Sequence, residues 1–403
     1  MRKLYTLFIM SFLGMAVNAQ DRGTGIVGDG YYRVHNFGSD RYIYVRDNVD
    51  ESDLARQVPD FGAIQLWKDA SKTIYDAASV IYIKEYNGGR FNLQAQGTGV
   101  EELTGFTVRI NALTGRTTKG LYEVYVTKDG VTQYLDDERT NSRADGQLGI
   151  NNKEVKYRYW IADKIDVNSS TNYFGIKPTI QLNDKYYRPF FSSFAFKTVS
   201  PNMHVYYVSK VLGSEATLQE IGGEIPPCTP VIIECASANP SDNRIDILYS
   251  KSAAVGGNKL AGVYFCNGER GERSVDAYTA FNASTMRVLT AANGKLVLSN
   301  NEDELLDSEV LEQIDAVDWT TEDDIEVVCI PANTCYLKAD AGTPAVLDIR
   351  FEGLGLDEIL AENSDADAVG VYSLSGTRLR STNDVRGLPA GLYVVGGVKV
   401  VIK

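Results

Sequence analysis

SVIYIKEYNGGRFNLQAQG, residues 79–97, sets two short runs rich in Val, Ile, Tyr and Phe on either side of Asn-Gly-Gly. β-Branched and aromatic residues fit a pleated, half-buried surface, and Asn with Gly marks a chain reversal. The same grammar recurs in YYRVHNF at 31–37, RYIYVRD at 41–47, LYEVYVT at 121–127, HVYYVSK at 204–210, TPVIIEC at 229–235 and KLVLS at 295–299. Turn signals every ten or so residues between such runs predict an all-β chain. Helical periodicity is confined to EDELLDSEVLEQID at 302–315, where Leu306, Val310, Leu311 and Ile314 share a face, and to DEILAE at 357–362.

The first residues, MRKLYTLFIMSFLGMAVNAQ, carry a basic start at Arg2 and Lys3 and an apolar stretch from Leu4 to Val17. A small-residue cleavage site, Val17-Asn18-Ala19, precedes Gln20. This is the pattern of a secretory signal peptide over 1–19, and the stretch is shorter than the roughly 20 residues that span a bilayer. No later segment is apolar enough to suggest a membrane span, so the expected location is extracellular or at the outer surface. A formal charge of −13 argues against nucleic acid or an anionic membrane as partner. Glu302 to Glu326 holds 12 carboxylates and no Lys or Arg, which alone nearly equals that net charge.

A chain of 403 residues exceeds what one core organises, so several domains are expected. Polar DVNSSTNY at 166–173 and the charged connector FEGLGLDEILAENSDADA at 351–368 mark breaks. The resulting units are 20–168, 172–352 and 369–403, with 353–368 as linker. Inside the middle unit IPPCTPVIIE at 225–234 and IPANTCYLKA at 330–339 repeat Ile-Pro, a Thr at the fifth position and an apolar run. Proline at the head of each phrase fits the approach to a strand. The repeat aligns Cys228 with Asn333 and Cys335 with Pro230, so it demands neither cysteine.

The five cysteines, Cys228, Cys235, Cys266, Cys329 and Cys335, lack the paired spacing of a zinc site. Their apolar neighbours read as buried small hydrophobes; Cys228–Cys235 or Cys329–Cys335 bridges are the other reading in an oxidising compartment. Two histidines, His35 and His204, both lie in strand-like runs, which leaves little for nucleophile–base chemistry or a His-built metal site. A carboxylate pair could come from Asp136, Asp137 and Glu138 in QYLDDERT, read here as acids on a solvated turn, or from the acidic run at 302–326. That run lacks the ligand spacing of a calcium loop and reads as the outer face of a solvated helix. No catalytic residue, metal or cofactor is expected.

Val45-Arg46-Asp47 followed by Gln65-Leu66-Trp67 and then the strand pair at 79–97 resembles the ricin-type β-trefoil lectins. The resemblance implies a three-lobed N-terminal fold, in which Trp67 fills the core and Gln65 ties the turn, and a glycan as ligand. It departs from sugar-binding members at Tyr44, which stands where they carry an aspartate; a tyrosine there could instead offer an aromatic platform. Tyr44, Asp47, Gln65 and Trp67 are therefore the candidate ligand-binding residues.

The closing VYSLSGTRLRSTNDVRGLPAGLYVVGGVKVVIK, residues 371–403, resembles the C-terminal sorting domain of exported Bacteroidetes proteins, of the type IX kind. Gly376, Gly387, Pro389 and Gly391 punctuate it; Val371, Tyr372 and Leu374 should pair with Leu392 to Val395, and Gly396-Gly397 fits a hairpin turn into Val398–Ile402. The middle unit is similar to modules on surface proteins of the same bacteria. Together these likenesses predict a β-trefoil-like domain, a β-sandwich-like middle and a small sorting sheet recognised by export machinery. The expected function is non-enzymatic glycan binding by an exported surface protein. The rivals are a structural or adhesive component without a small-molecule site, and a glycoside-hydrolase accessory or cryptic glycosidase.

Overall fold

The computed structural model describes residues 25–45, 64–67, 72–95, 109–115, 118–128, 130–137, 148–150, 155–263, 278–301, 329–331, 333–352, 370–373, 376–382, 384–395 and 398–402. Strands dominate them, and the helical pieces among them are single 3-10 turns, so the all-β expectation holds. Both expected helices lie outside the described residues.

Ten strands come first: β1 (Gly30–Asn36), β2 (Tyr42–Val45), β3 (Ile64–Trp67), β4 (Ile81–Asn87), β5 (Arg90–Ala95), β6 (Arg109–Ala112), β7 (Tyr122–Lys128), β8 (Val131–Asp137), β9 (Leu148–Ile150) and β10 (Trp160–Lys164). Six of them close a ring of antiparallel pairs, β1–β4–β5–β6–β7–β10 and back to β1. The hairpins β2–β3 and β8–β9 leave the ring from β1 and β7. Register carries one apolar face around the ring: Tyr32 opposes Ile81, Ile83 opposes Leu93, Phe91 opposes Ile110 and Ile110 opposes Val124. Tyr122 opposes Trp160, and Ala162 opposes Val34, which returns the face to its start. All these side chains are buried. Because residues directly across a ladder share a face, the ring has one continuous filled interior. Trp160 is its largest member and donates its indole N–H to the Leu135 carbonyl at 3.1 Å.

The other face of β1 and β4 is buried as well. Tyr31 and Tyr82, opposite one another, join Ala77 and Val80 in a core with Phe174, Phe190, Phe194, Phe196 and Ile245 from beyond residue 170. β1 is therefore buried on both faces from Tyr31 to Asn36, and the polar side chains it carries, Arg33, His35 and Asn36, are buried with it.

The following strands are β11 (Phe174–Gly175), β12 (Ile180–Leu182), β13 (Lys185–Phe190), β14 (Ala195–Thr198), β15 (His204–Leu212), β16 (Glu215–Glu220), β17 (Val231–Cys235), β18 (Arg244–Leu248), β19 (Leu260–Val263), β20 (Tyr278–Ala280), β21 (Met286–Ala292), β22 (Lys295–Ser299), β23 (Cys329–Pro331), β24 (Thr334–Lys338) and β25 (Val346–Glu352). β11, β18 and β14 form a small sheet that packs its aromatic residues into the core shared with the ring. A ten-stranded sheet runs β12-β13-β17-β15-β16-β25-β22-β21-β24-β19. It curls until its ends meet, since Tyr187 of β13 and Leu337 of β24 enter one core with Tyr206, Leu218, Leu298 and Leu347. β21 and β22 are joined by Asn293-Gly294, both at positive φ (52° and 73°), the backbone that a two-residue hairpin turn needs.

The repeated phrase is a backbone repeat. Cys228 and its counterpart Asn333 both adopt left-handed φ, 55° and 57°, and the preceding Ile225 and Ile330 are both buried. Each phrase leads into a strand, β17 or β24, as expected. The bridge readings fail: Cys228, Cys235 and Cys335 are free thiols, with Cys235 and Cys335 in the apolar interior.

The last strands, β26 (Val371–Ser373), β27 (Arg378–Arg380), β28 (Gly391–Val395) and β29 (Val398–Ile402), make a separate sheet in the order β27-β26-β28-β29. Val371 opposes Val395 and Tyr372 opposes Val394, while Val395 opposes Val398 across the hairpin. Leu374 and Gly396-Gly397 lie outside the described residues.

Candidate functional site

Backbone register in the β2–β3 hairpin sets Tyr44 opposite Gln65 and Tyr42 opposite Trp67. Three of the four expected ligand-binding residues are thus brought together on paired strands; Asp47 lies outside the described residues. In the tail Gly376 and Gly387 take positive φ, 78° and 77°. The Pro389 carbonyl accepts the Tyr393 hydroxyl at 3.0 Å, and a Cβ on Gly391 would come within 3.3 Å of the Tyr393 ring. These four residues turn the chain and let β28 start close to its own tyrosine.

The acids of QYLDDERT are not on a solvated turn. Asp136 and Asp137 sit on β8 and are buried, and Arg41 reaches across to Asp137, donating Nε–H to Oδ2 at 2.9 Å. Asp137 holds the start of the β2–β3 hairpin against β8; Glu138 lies outside the described residues. His35, buried on β1, sets Nδ1 2.8 Å from Asp40 and Nε2 3.3 Å from Asp163, with its ring stacked on Tyr42. His204 lies 2.8 Å from Glu220. Both histidines are strand residues held by carboxylates. Among the described residues no group of three or more His, Cys, Asp or Glu is arranged to hold a metal ion, and no helix is long and apolar enough to cross a membrane.

A cleft that no local pattern announces opens where the ring meets β18. It has a volume of about 460 Å³ and is lined by Asp29, Tyr82, Lys84, Lys164, Asp246 and Tyr249, among others. Tyr249, 48% exposed, stacks on the buried Tyr82 with ring centroids 5.1 Å apart and planes at 26°. Tyr82 rests in turn on Tyr31, whose hydroxyl donates to the Leu248 carbonyl at 3.1 Å. Burial, reinforced by the neighbouring Tyr249, pushes the Tyr82 phenol well above its ordinary range. Asp29 accepts the Glu85 amide N–H at 2.7 Å, and Asp246 lies 3.4 Å from Lys197 Nζ, so both carboxylates are held in place. The stem of Lys164 packs over Gly30, where a Cβ would meet Lys164 Cε at 3.3 Å. The result is an aromatic wall with cations and carboxylates on its rim, equipped to hold a polar ligand with one apolar face.

No protein-family model matches the chain, and a search of curated proteins finds no match.

Proposed function

We propose that the protein is an exported, surface-displayed or secreted binding protein without catalytic activity, that its N-terminal unit is a ricin-like β-trefoil, and that this unit binds a glycan. The observation that carries the reading is the six-stranded ring with hairpins leaving from β1 and β7. A trefoil is built from six barrel strands and three hairpins; the ring supplies the six strands and two of the hairpins, and residues 96–108, between β5 and β6, lie outside the described residues. The pairing of Tyr44 with Gln65 supports a ligand surface on the first hairpin. The commitment of Asp137 to Arg41 favours binding over hydrolysis at that carboxylate run. In this reading 172–352 is a β-sandwich-like surface module and 369–403 is a sorting sheet that engages export machinery.

A glycan-array screen of the full mature chain tests the proposal. The expected result is saturable binding that Tyr44→Ala abolishes while the unfolding transition is unchanged. A folded chain that binds no glycan, or a Tyr44→Ala variant that binds as well as the parent, rejects the hairpin site.

A further inference from the structure

We propose that the cleft between the ring and β18 is a second binding site, for an acidic saccharide. The inference stands apart from the first-hairpin reading, because the cleft shares no residue with it. Three observations converge. First, the volume of about 460 Å³ lies in the range of small-ligand sites, roughly 300–1,000 Å³. Second, Tyr249 is a large aromatic left 48% exposed although its ring is already fixed by stacking on buried Tyr82. A ring that is fixed before the ligand arrives gives up little conformational freedom on binding. Third, the rim carries charge of both signs, with the carboxylates in fixed places. Asp29 and Asp246 are anchored by the Glu85 amide and Lys197 and keep acceptor capacity for hydroxyl donors. Lys84 and Lys164 add positive charge on the ring side of the same opening.

A sugar ring presents an apolar C–H face suited to Tyr249, and hydroxyls suited to the two aspartates. A carboxylate on that sugar is what the lysine pair adds to the selection, so a uronic or sialic unit fits better than a neutral hexose. The ring supplies Tyr82, Lys84 and Lys164, whereas Asp246 and Tyr249 come from the strand region beyond residue 240, so the site exists only when both are packed together.

The test is calorimetric titration of the full mature chain with oligogalacturonate and with a sialylated oligosaccharide, each beside its neutral counterpart. The expected result is binding of an acidic ligand that added salt weakens. Tyr249→Ala and Lys84→Ala should each weaken it by about ten-fold, the ratio that corresponds to ~1.4 kcal/mol of lost interaction. Tyr249→Phe, which keeps the stack, should retain most of the affinity, and Tyr44→Ala should leave it unchanged. Both substituted side chains are exposed, so thermal unfolding of the variants should match the parent. Failure of both acidic ligands to bind, equal binding of the neutral ones, or undiminished binding by Tyr249→Ala overturns the proposal. Loss with Tyr44→Ala alone would overturn it and return the acidic ligand to the first hairpin.

Discussion

Cys235 and Cys335 show what burial does to a single side chain. Each is about 4% exposed, and burial pushes both thiols up to about 12 from an ordinary 9.0. The Cys335 thiol also donates to the Val231 carbonyl at 3.2 Å, a bond that only the protonated form can make. The folded state therefore keeps two protons that the unfolded chain releases above its ordinary thiol range. This stabilisation is fully present below about pH 9 and is lost as the pH rises toward about 12. Tyr32, Tyr42, Tyr82 and Tyr122, also raised by burial, act in the same direction at higher pH. Urea midpoints measured between pH 8 and 10.5 should fall with pH in the parent. They should fall less steeply in a Cys235→Ala/Cys335→Ala variant, whatever its absolute stability. Equal slopes in the two proteins would mean that the thiols are not protected. Alkylation at pH 8 should mark Cys228, which is only half-buried, before either of them.

Among the elements, the two Ile-Pro phrases make the sharpest demand on sequence. Each needs one residue in the left-handed region just before its strand, and Asn333 meets this more easily than Cys228 because asparagine tolerates that backbone. Asn333 adds an Nδ2–H bond to the Phe191 carbonyl at 3.0 Å, and the Cys228 amide donates to the next carbonyl, Ser192, at 3.0 Å. One short segment, Phe191-Ser192, is thus gripped by both copies of the repeat. Asn333→Ala should destabilise by about 2 kcal/mol, from the lost bond and the backbone strain together. Cys228→Asn should be neutral or stabilise by up to about 1 kcal/mol. Denaturant titrations of both variants decide the matter, and a destabilised Cys228→Asn would show that the thiol itself is required there. The repeat was legible in the sequence because both copies keep Ile, Pro and Thr in step; that both also bind one distant segment was not. The same limit explains the acids of β8. The local pattern around Asp136 and Asp137 reads as surface, and the charge of buried Asp137 is met by Arg41, which lies 96 residues away. Strand existence follows from residue type and turn chemistry within a few residues, and the six-strand ring needs only register added to that. The Tyr82–Tyr249 cleft depends on how distant strands pack, for which neither tyrosine carries a local mark.

Across the whole molecule the polar segment at 166–173 is a clamped turn. Asp166 N–H donates to the Asn172 carbonyl at 3.0 Å, and Asn172 Nδ2 donates to the Asp163 and Lys164 carbonyls. From the ring, the fully buried Arg33 donates Nη1–H to Asn172 Oδ1 at 2.6 Å and to the Tyr173 carbonyl at 2.9 Å, and Nε–H to Ser79 Oγ at 3.1 Å. From β18, Arg244 donates Nη1–H to the Val167 and Ser169 carbonyls, each at 2.8 Å, and its guanidinium lies 3.9 Å from the centre of the Tyr173 ring. Burial pulls the Arg33 guanidinium down to about 10, a sign of how much the site depends on those neutral acceptors to hold a charge away from water. Cutting the chain at residue 168 removes Asn172 and Tyr173 from Arg33 and uncovers Tyr31, Ala77, Val80 and Tyr82, all buried against residues beyond 170. At roughly 1.5–3 kcal/mol for each large apolar side chain, the loss is about 5 kcal/mol before the stranded arginine is counted. That is comparable with the whole stability of many single domains, about 5–15 kcal/mol. Residues 20–168 expressed alone should therefore bind a hydrophobic dye and unfold at lower urea than the ring does within 20–352, followed through the ring's buried Trp160. A cooperative transition of the fragment at the same midpoint, without dye binding, would show that the ring is self-sufficient and that the arginine clamp joins two finished domains. The expected outcome is that ring and curled sheet fold as one unit, which also keeps the cleft between them in a fixed shape.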